Sequence, residues 1–163
     1  MNKTIIVYFS YTGNTRKIAE LIKNKLNCDI LELKPKVPYS ANYDEVVEEE
    51  QNLEGSNHTP EIEKINMDLN NYDRIILGTP VWWYRESPVV RTFLKNNNLS
   101  NKTIIPFATN AGWLGQTFDA IKKECPNSKV TDEMNIVFES YSDKLKTPIT
   151  EINSWIDKLN KSY

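Results

Sequence analysis

Four hydroxyl or amide side chains fall within six residues at Ser10-Tyr11-Thr12-Gly13-Asn14-Thr15, and that spacing suits the capture of an oxyanion. Ser10, Thr12 and Thr15 bring hydroxyl donors, Asn14 brings an amide, and Gly13 lets the backbone approach a ligand closely. The run follows the apolar stretch Ile5-Ile6-Val7-Tyr8-Phe9, which reads as a buried strand. It precedes a helical pattern with Ile18, Leu21, Ile22 and Leu26 on one face. The turn therefore joins a strand end to a helix start, where unpaired N–H groups and the positive end of the dipole favour a phosphate. No Lys or Arg lies inside it, so neutral donors would carry the recognition, which suits one terminal phosphate better than a triphosphate with its metal. The same residue types are also ordinary helix caps and turn formers.

Other reactive residues are sparse. Cys28 and Cys125 are far apart and fit no metal or redox spacing. Cys28 opens an apolar strand and reads as a small buried hydrophobe, while Cys125, before Pro126 at a helix end, reads as a bystander. The single histidine, His58, lies beside Pro60 in a polar segment and reads as a solvated loop residue. No zinc site, Cys–His pair or Ser–His–acid set can be assembled, so we expect no metal and no catalytic side chain. Chemistry in such a chain rests on a bound cofactor.

The elements that would position these residues alternate. Strand-like runs recur at Ile5–Phe9, Cys28–Leu33, Arg74–Leu77, Thr103–Ala108 and Met134–Phe138. Between them, Ser87-Pro88 begins a helix with Val89, Val90, Phe93 and Leu94 inward, and Gln116–Lys123 forms a short one. The last helix starts at Thr147-Pro148 and turns Ile149, Ile152, Ile156 and Leu159 to one face. This alternation predicts βαβ units, a mostly parallel sheet and helices on both faces. Residues 34–60 form a polar insertion, with a helix expected near Asp44–Gln51, of the kind that more often covers a site than merely links. Pro106 falls inside the fourth strand-like run and predicts a bulge or a broken ladder.

With 163 residues, 39% hydrophobic and 26% charged, the chain reads as one globular domain over 1–163. A net charge of −2 offers no field for nucleic acid, and no basic run suggests a membrane surface. The absence of a signal-like or membrane-length apolar segment makes cytoplasm the expected location.

In a parallel sheet, ligands gather beyond the carboxyl ends of the strands. After the third strand comes Gly78-Thr79-Pro80-Val81-Trp82-Trp83-Tyr84, and after the fourth comes Thr109-Asn110-Ala111-Gly112-Trp113-Leu114-Gly115. Planar side chains stack on flat ligands for about 0.5–1.5 kcal/mol per pair beyond area burial. One tryptophan of the Trp82-Trp83 pair is expected to pack into the core beneath its loop. Phosphate donors in one loop and aromatic walls in the others match flavin mononucleotide (FMN).

These pieces resemble the flavodoxins and flavodoxin-like FMN proteins over nearly the whole chain. The match rests on Ser10–Thr15, Tyr72-Asp73, Gly78-Thr79-Pro80-Val81-Trp82-Trp83 with Pro88, and Ile105-Pro106-Phe107 leading into Thr109. Pro38-Tyr39 and Tyr43-Asp44 also resemble the insertion of one flavodoxin-like subfamily. The resemblance implies an α/β three-layer sandwich with a five-stranded parallel sheet in order 2-1-3-4-5 and non-covalent FMN. It implies phosphate contacts from Ser10, Thr12, Asn14 and Thr15, with backbone N–H groups from Tyr11 through Gly13 to Thr15. Pro80, Val81, Trp82, Trp83 and Tyr84 would line one side of the ring, and Thr109, Asn110, Ala111, Gly112, Trp113 and Gly115 its other edge. Related loops often carry glycine near Tyr84, where a peptide can turn over; a tyrosine hinders that.

Three functions follow. An electron carrier needs only FMN, an exposed ring edge and a redox partner protein, for which Asp44, Glu45, Glu48, Glu49 and Glu50 offer either an acidic docking patch or a solvated helix face. An NAD(P)H-dependent FMN or quinone oxidoreductase would need a cation such as Arg85 or Arg91 for nucleotide phosphate, though solvation or salt bridging explains both. A flavin-free interaction module is disfavoured by the intact phosphate loop.

Overall fold

The computed structural model describes residues 3–162. Strand β1 (Thr4–Tyr8) leads into α1 (Asn14–Leu26), then β2 (Asp29–Glu32), α2 (Tyr43–Leu53), β3 (Arg74–Trp82) and a short β4 (Arg85–Glu86). Helix α3 (Pro88–Asn96), β5 (Thr103–Asn110), α4 (Thr117–Glu124), β6 (Lys129–Val130), β7 (Met134–Val137) and α5 (Ile149–Lys161) complete the order. The sheet runs β2-β1-β3-β5 and ends on β6 and β7, which both pair parallel with β5. The expected order 2-1-3-4-5 holds, with a seven-stranded count in place of five.

The extra strands have physical causes. Pro106 lies within an unbroken β5, opposite Leu77 of β3. The interruption falls on the neighbouring strand, whose two halves face Thr103–Ile104 and Phe107–Asn110. Between them the chain swings out, and Asp132 accepts the Trp155 indole N–H at 2.7 Å and pairs with Lys158 of α5. The expected break is therefore present, displaced onto the partner strand. Strand β4 returns antiparallel on β3 through a two-residue turn.

Residues alternate across β1, so Ile5 and Val7 face one core and Ile6 and Tyr8 the other. The first core takes α3 and α4 through Val89, Val90, Phe93 and Ile121. The second takes α1 and α5 through Ile18, Ile22, Ile152, Ile156 and Leu159. Two helix layers therefore clamp the strands and leave their carboxyl ends free for loops. Capping is local: Ser87 Oγ accepts from Val90 N–H with Pro88 in the first turn of α3, and Asn42 accepts from Asp44 and Glu45 N–H to start α2. The polar insertion is anchored at its base by hydrogen bonds between Lys34 and Glu63 and between Lys36 and Glu61.

Candidate functional site

The N-cap residue of helix α1 is a glycine and brings no side chain to cap it. Gly13 stands at its N-cap with φ 104°, a conformation that favours glycine. Its neighbours' backbone N–H groups, on Tyr11, Thr12, Asn14 and Thr15, donate to nothing among the described residues. An open helix start with several unclaimed donors is suited to an anion. Ser10 Oγ shapes the turn by accepting from Gly13 and Arg16 N–H, both at 3.2 Å, which leaves its own proton available. Thr15 and Thr109 hydroxyls share one hydrogen bond of 2.8 Å, so the pair retains one O–H to donate. Asn14 departs from the simple expectation, because its amide donates to Ser142 O at 3.0 Å and ties the turn to the segment after β7. Arg16 pairs with Glu32 and Lys17 donates to Asp143 O, so neither occupies the turn.

From this turn a cavity of about 580 Å³ runs along the sheet edge, within the ordinary range for small-ligand sites. Thr12 and Asn14 line one end; Pro80, Val81, Trp82, Thr109, Asn110, Ala111 and Trp113 line the rest. A second space of about 280 Å³ adjoins it beneath α2, walled by Trp83 and Tyr84 as well as by Val46, Val47 and Glu50. All three predicted loops therefore converge. Ser10, Gly13 and Thr15 of the first loop line neither space, and nor do Gly112 and Gly115, which act on loop shape. Asn110 Oδ1 closes the turn at Gly112 by accepting from Gly112 and Trp113 N–H. Gly115 packs against Tyr84, where a Cβ would lie 2.4 Å from the Tyr84 Cβ.

The ring-end wall is a strained hairpin tip. Trp83 and Tyr84, the two residues between β3 and β4, have φ of 54° and 66°. Two positive φ values make this a type I′ turn, which ordinarily carries Asn and Gly. Each left-handed residue with a side chain costs about 1–2 kcal/mol. The turn is held because Gln116 N–H donates to Tyr84 O at 2.6 Å. Trp82 is the tryptophan that packs into the core, meeting Phe9, Tyr11 and Tyr39 edge-on with centroids 5.0–5.9 Å apart. Trp113, 66% exposed, and Tyr84 pair at the rim.

Sequence reasoning missed a fourth wall. The chain after β7, from Phe138 to Asp143, borders the cavity, and Tyr141 reaches across to the Tyr43 ring of α2 at 5.8 Å. The signal was available, because Ser140-Tyr141-Ser142-Asp143 also follows the carboxyl end of a strand.

Three sequence expectations need correction. Glu50 is 6% exposed on the inner face of α2, so the acidic patch reduces to Asp44, Glu45, Glu48 and Glu49. His58 is half-buried with Nε2 3.5 Å from Glu50, rather than solvated, and burial with the nearby Arg91 charge lowers its pKa. The salt bridging offered for Arg85 and Arg91, by contrast, is present: both bond Oε1 of the fully buried Glu86. Cys28 is only partly buried, and burial pushes the Cys125 thiol up to about 11. Among the described residues no cluster could hold a metal ion, and no helix is long and apolar enough to cross a membrane.

An anion cradle joined to an aromatic-walled slot on a doubly wound sheet defines an FMN-type site, and the residues present fit that group. The sequence profile of the flavodoxins matches residues 3–159, and the chain belongs to the flavodoxin family. Among solved structures, it superposes with a TM-score of 0.71 on a Lactobacillus acidophilus flavoprotein in complex with FMN, at 27% identity over 83% of this chain and 93% of that one. A Bacteroides eggerthii protein with a provisional flavoprotein description gives a TM-score of 0.76 at 25% identity, over 97% and 98% of the two chains. Oxidised flavodoxin 2 from Bacillus cereus shares the fold, with a TM-score of 0.61, 20% identity and 99% of both chains covered. Among curated proteins none matches.

Proposed function

We propose that this flavodoxin-family chain is a cytoplasmic electron-transfer protein that shuttles electrons between redox partner proteins through non-covalent FMN. The observation that carries the reading is the glycine-started α1, with open N–H groups at Tyr11, Thr12, Asn14 and Thr15, at one end of the aromatic-walled cavity. Bound FMN supplies the redox chemistry, and the protein supplies binding, orientation and electrostatics. Thr12 and the backbone donors would hold the phosphate, with Ser10 and Thr15 adding hydroxyls. Trp82, Val81 and Trp113 would flank the ring and keep water from its faces. Exposed Tyr84, Trp113 and Tyr141 ring the mouth, where a partner protein would approach. The exposed carboxylates of α2 would steer a basic partner, an attraction that weakens with salt.

A second reading, NAD(P)H-dependent reduction of a small acceptor, draws on the 280 Å³ space beneath α2, which leaves room beside Trp82–Tyr84 for another reactant. Adding NADH or NADPH anaerobically to FMN-loaded protein separates the two by its visible spectrum. Carrier function predicts that the flavin absorbance persists until a chemical reductant is added. Rapid bleaching by either nucleotide would replace the carrier reading with the oxidoreductase one.

A further inference from the structure

Behind Trp82 and Trp83 of the second flavin loop lies a pocket of about 370 Å³ that the phosphate turn and the Thr109–Gly115 loop do not line. Its polar lining includes Glu50 from α2, His58 from the insertion and Arg91 from α3. Glu50 is 6% and Arg91 5% exposed, so both groups have been taken out of bulk water. Such groups ordinarily have their hydrogen bonds filled. Here they are not. Arg91 spends Nε on Glu86 and Nη1 on His58 O, while Nη2 bonds nothing among the described residues and is not sealed from solvent. Both Glu50 oxygens are likewise without a hydrogen bond and unsealed; the His58 ring, whose pKa burial lowers, lies 3.5 Å from one of them. The pocket therefore presents an unfilled N–H donor and an unfilled oxygen acceptor against two indole walls.

Charge decides which ligand this suits. Glu86 lies bonded to both Arg85 and Arg91, and Glu50 and Glu54 add two more carboxylates at the pocket. An incoming carboxylate would find the guanidiniums already paired and Glu50 opposed to it. A neutral ligand whose carbonyl accepts from Arg91 Nη2 and whose N–H donates to Glu50 uses both groups without adding charge. A flat ring on that ligand would lie against the indoles.

We propose that the pocket bounded by Glu50, His58, Arg91, Trp82 and Trp83 is a binding site for a small planar ring carrying a neutral amide. The site is separate from the FMN cavity, sharing with its α2 side the partition formed by Trp82, Trp83 and Glu50. It does not depend on whether the protein is a carrier or a reductase.

Benzamide titrated into FMN-saturated protein tests this, read by the ¹⁵N indole resonances of the four tryptophans. The Trp82 and Trp83 signals should move with saturation, Trp155 on the opposite core should stay still, and no FMN should be released. Benzoate should bind more weakly than benzamide at neutral pH. Leu53→Trp, at an exposed rim position of the pocket, should abolish the benzamide shifts with FMN affinity unchanged. Glu50→Gln should weaken benzamide about five-fold, the difference between a charge-assisted and a neutral hydrogen bond. The proposal is overturned if the Trp82 and Trp83 signals do not move, if benzoate binds better, if FMN is displaced, or if the shifts survive both substitutions.

Discussion

At the α1 end of the cavity the backbone is relaxed and its donors stand open, whereas at the hairpin end two aromatic residues are held in left-handed conformations by a neighbouring loop. The first region offers a ligand the groups any helix start possesses, made accessible by a glycine. The second offers side-chain surface and keeps that surface in place at a conformational cost. Strain of this kind persists where surrounding structure over-determines it, and such places cluster at functional sites. The contrast suggests a division of labour: the turn fixes where a phosphate sits, and the hairpin sets what the ring end contacts.

Substitutions at each end should separate these roles. The largest effect is expected from Thr12→Ala, since the Thr12 hydroxyl lines the cavity and bonds nothing among the described residues, whereas the Asn14 amide is spent on Ser142 O. Loss of a hydrogen bond to a charged phosphate should cost up to about 3 kcal/mol, on the order of a hundredfold in FMN affinity. Flavin fluorescence quenching measures that loss, and the thermal midpoint of the flavin-free protein should move little.

Gly115→Ala should come next. The added Cβ meets Tyr84 backbone and Cβ atoms at 2.4–2.9 Å in a residue at φ 53°. Overpacking of this kind costs about 1–3 kcal/mol, read as a lowered midpoint in chemical denaturation. FMN affinity should fall with it, because the Gln116–Tyr84 bond that pins the hairpin is disturbed.

Tyr84→Gly should act in opposite directions on the two properties. Relief of the positive φ stabilises the flavin-free protein by up to about 1 kcal/mol, roughly 2–4 °C for a chain of this size. Loss of the aromatic wall should weaken FMN binding, so stability and affinity part company.

The smallest effect concerns pH. Burial raises the Glu50 pKa above its ordinary value of 4.5, against the opposing pull of Arg91. A raised folded pKa gives stability that is full below the unfolded value and is lost as pH rises through the folded one. Wild-type stability should therefore decline relative to Glu50→Gln as pH climbs from about 4 toward neutrality. His58 acts oppositely: its lowered pKa removes stability as pH falls through the folded value, below the ordinary 6.5. Denaturant midpoints of both proteins across that interval should show the wild type losing ground to the variant as pH rises, the variant keeping the His58 contribution alone.

Much of the framework was legible because its signals are local. The alternation of Ile5, Ile6, Val7 and Tyr8 between two cores, the Ser87-Pro88 helix start and the Ser10–Thr15 turn each depend on near neighbours in sequence. What escaped depends on distant partners. The inward placement of Glu50 became visible only once α2 folded over Trp82, since its charge-rich neighbours suggest a solvated face. The left-handed pair Trp83-Tyr84 was hidden because the residues contradict the turn's usual preference, and the bond from Gln116 that sustains it comes from another loop.

The central claim, that the open α1 start binds the terminal phosphate of FMN, is tested most directly by comparing FMN and riboflavin affinities for the wild-type protein. The two flavins share the ring and ribityl chain and differ only in the phosphate. The account predicts that riboflavin binds at least about a hundredfold more weakly, as loss of charge-assisted hydrogen bonds requires. Equal affinities would contradict it and leave the aromatic walls as the source of binding.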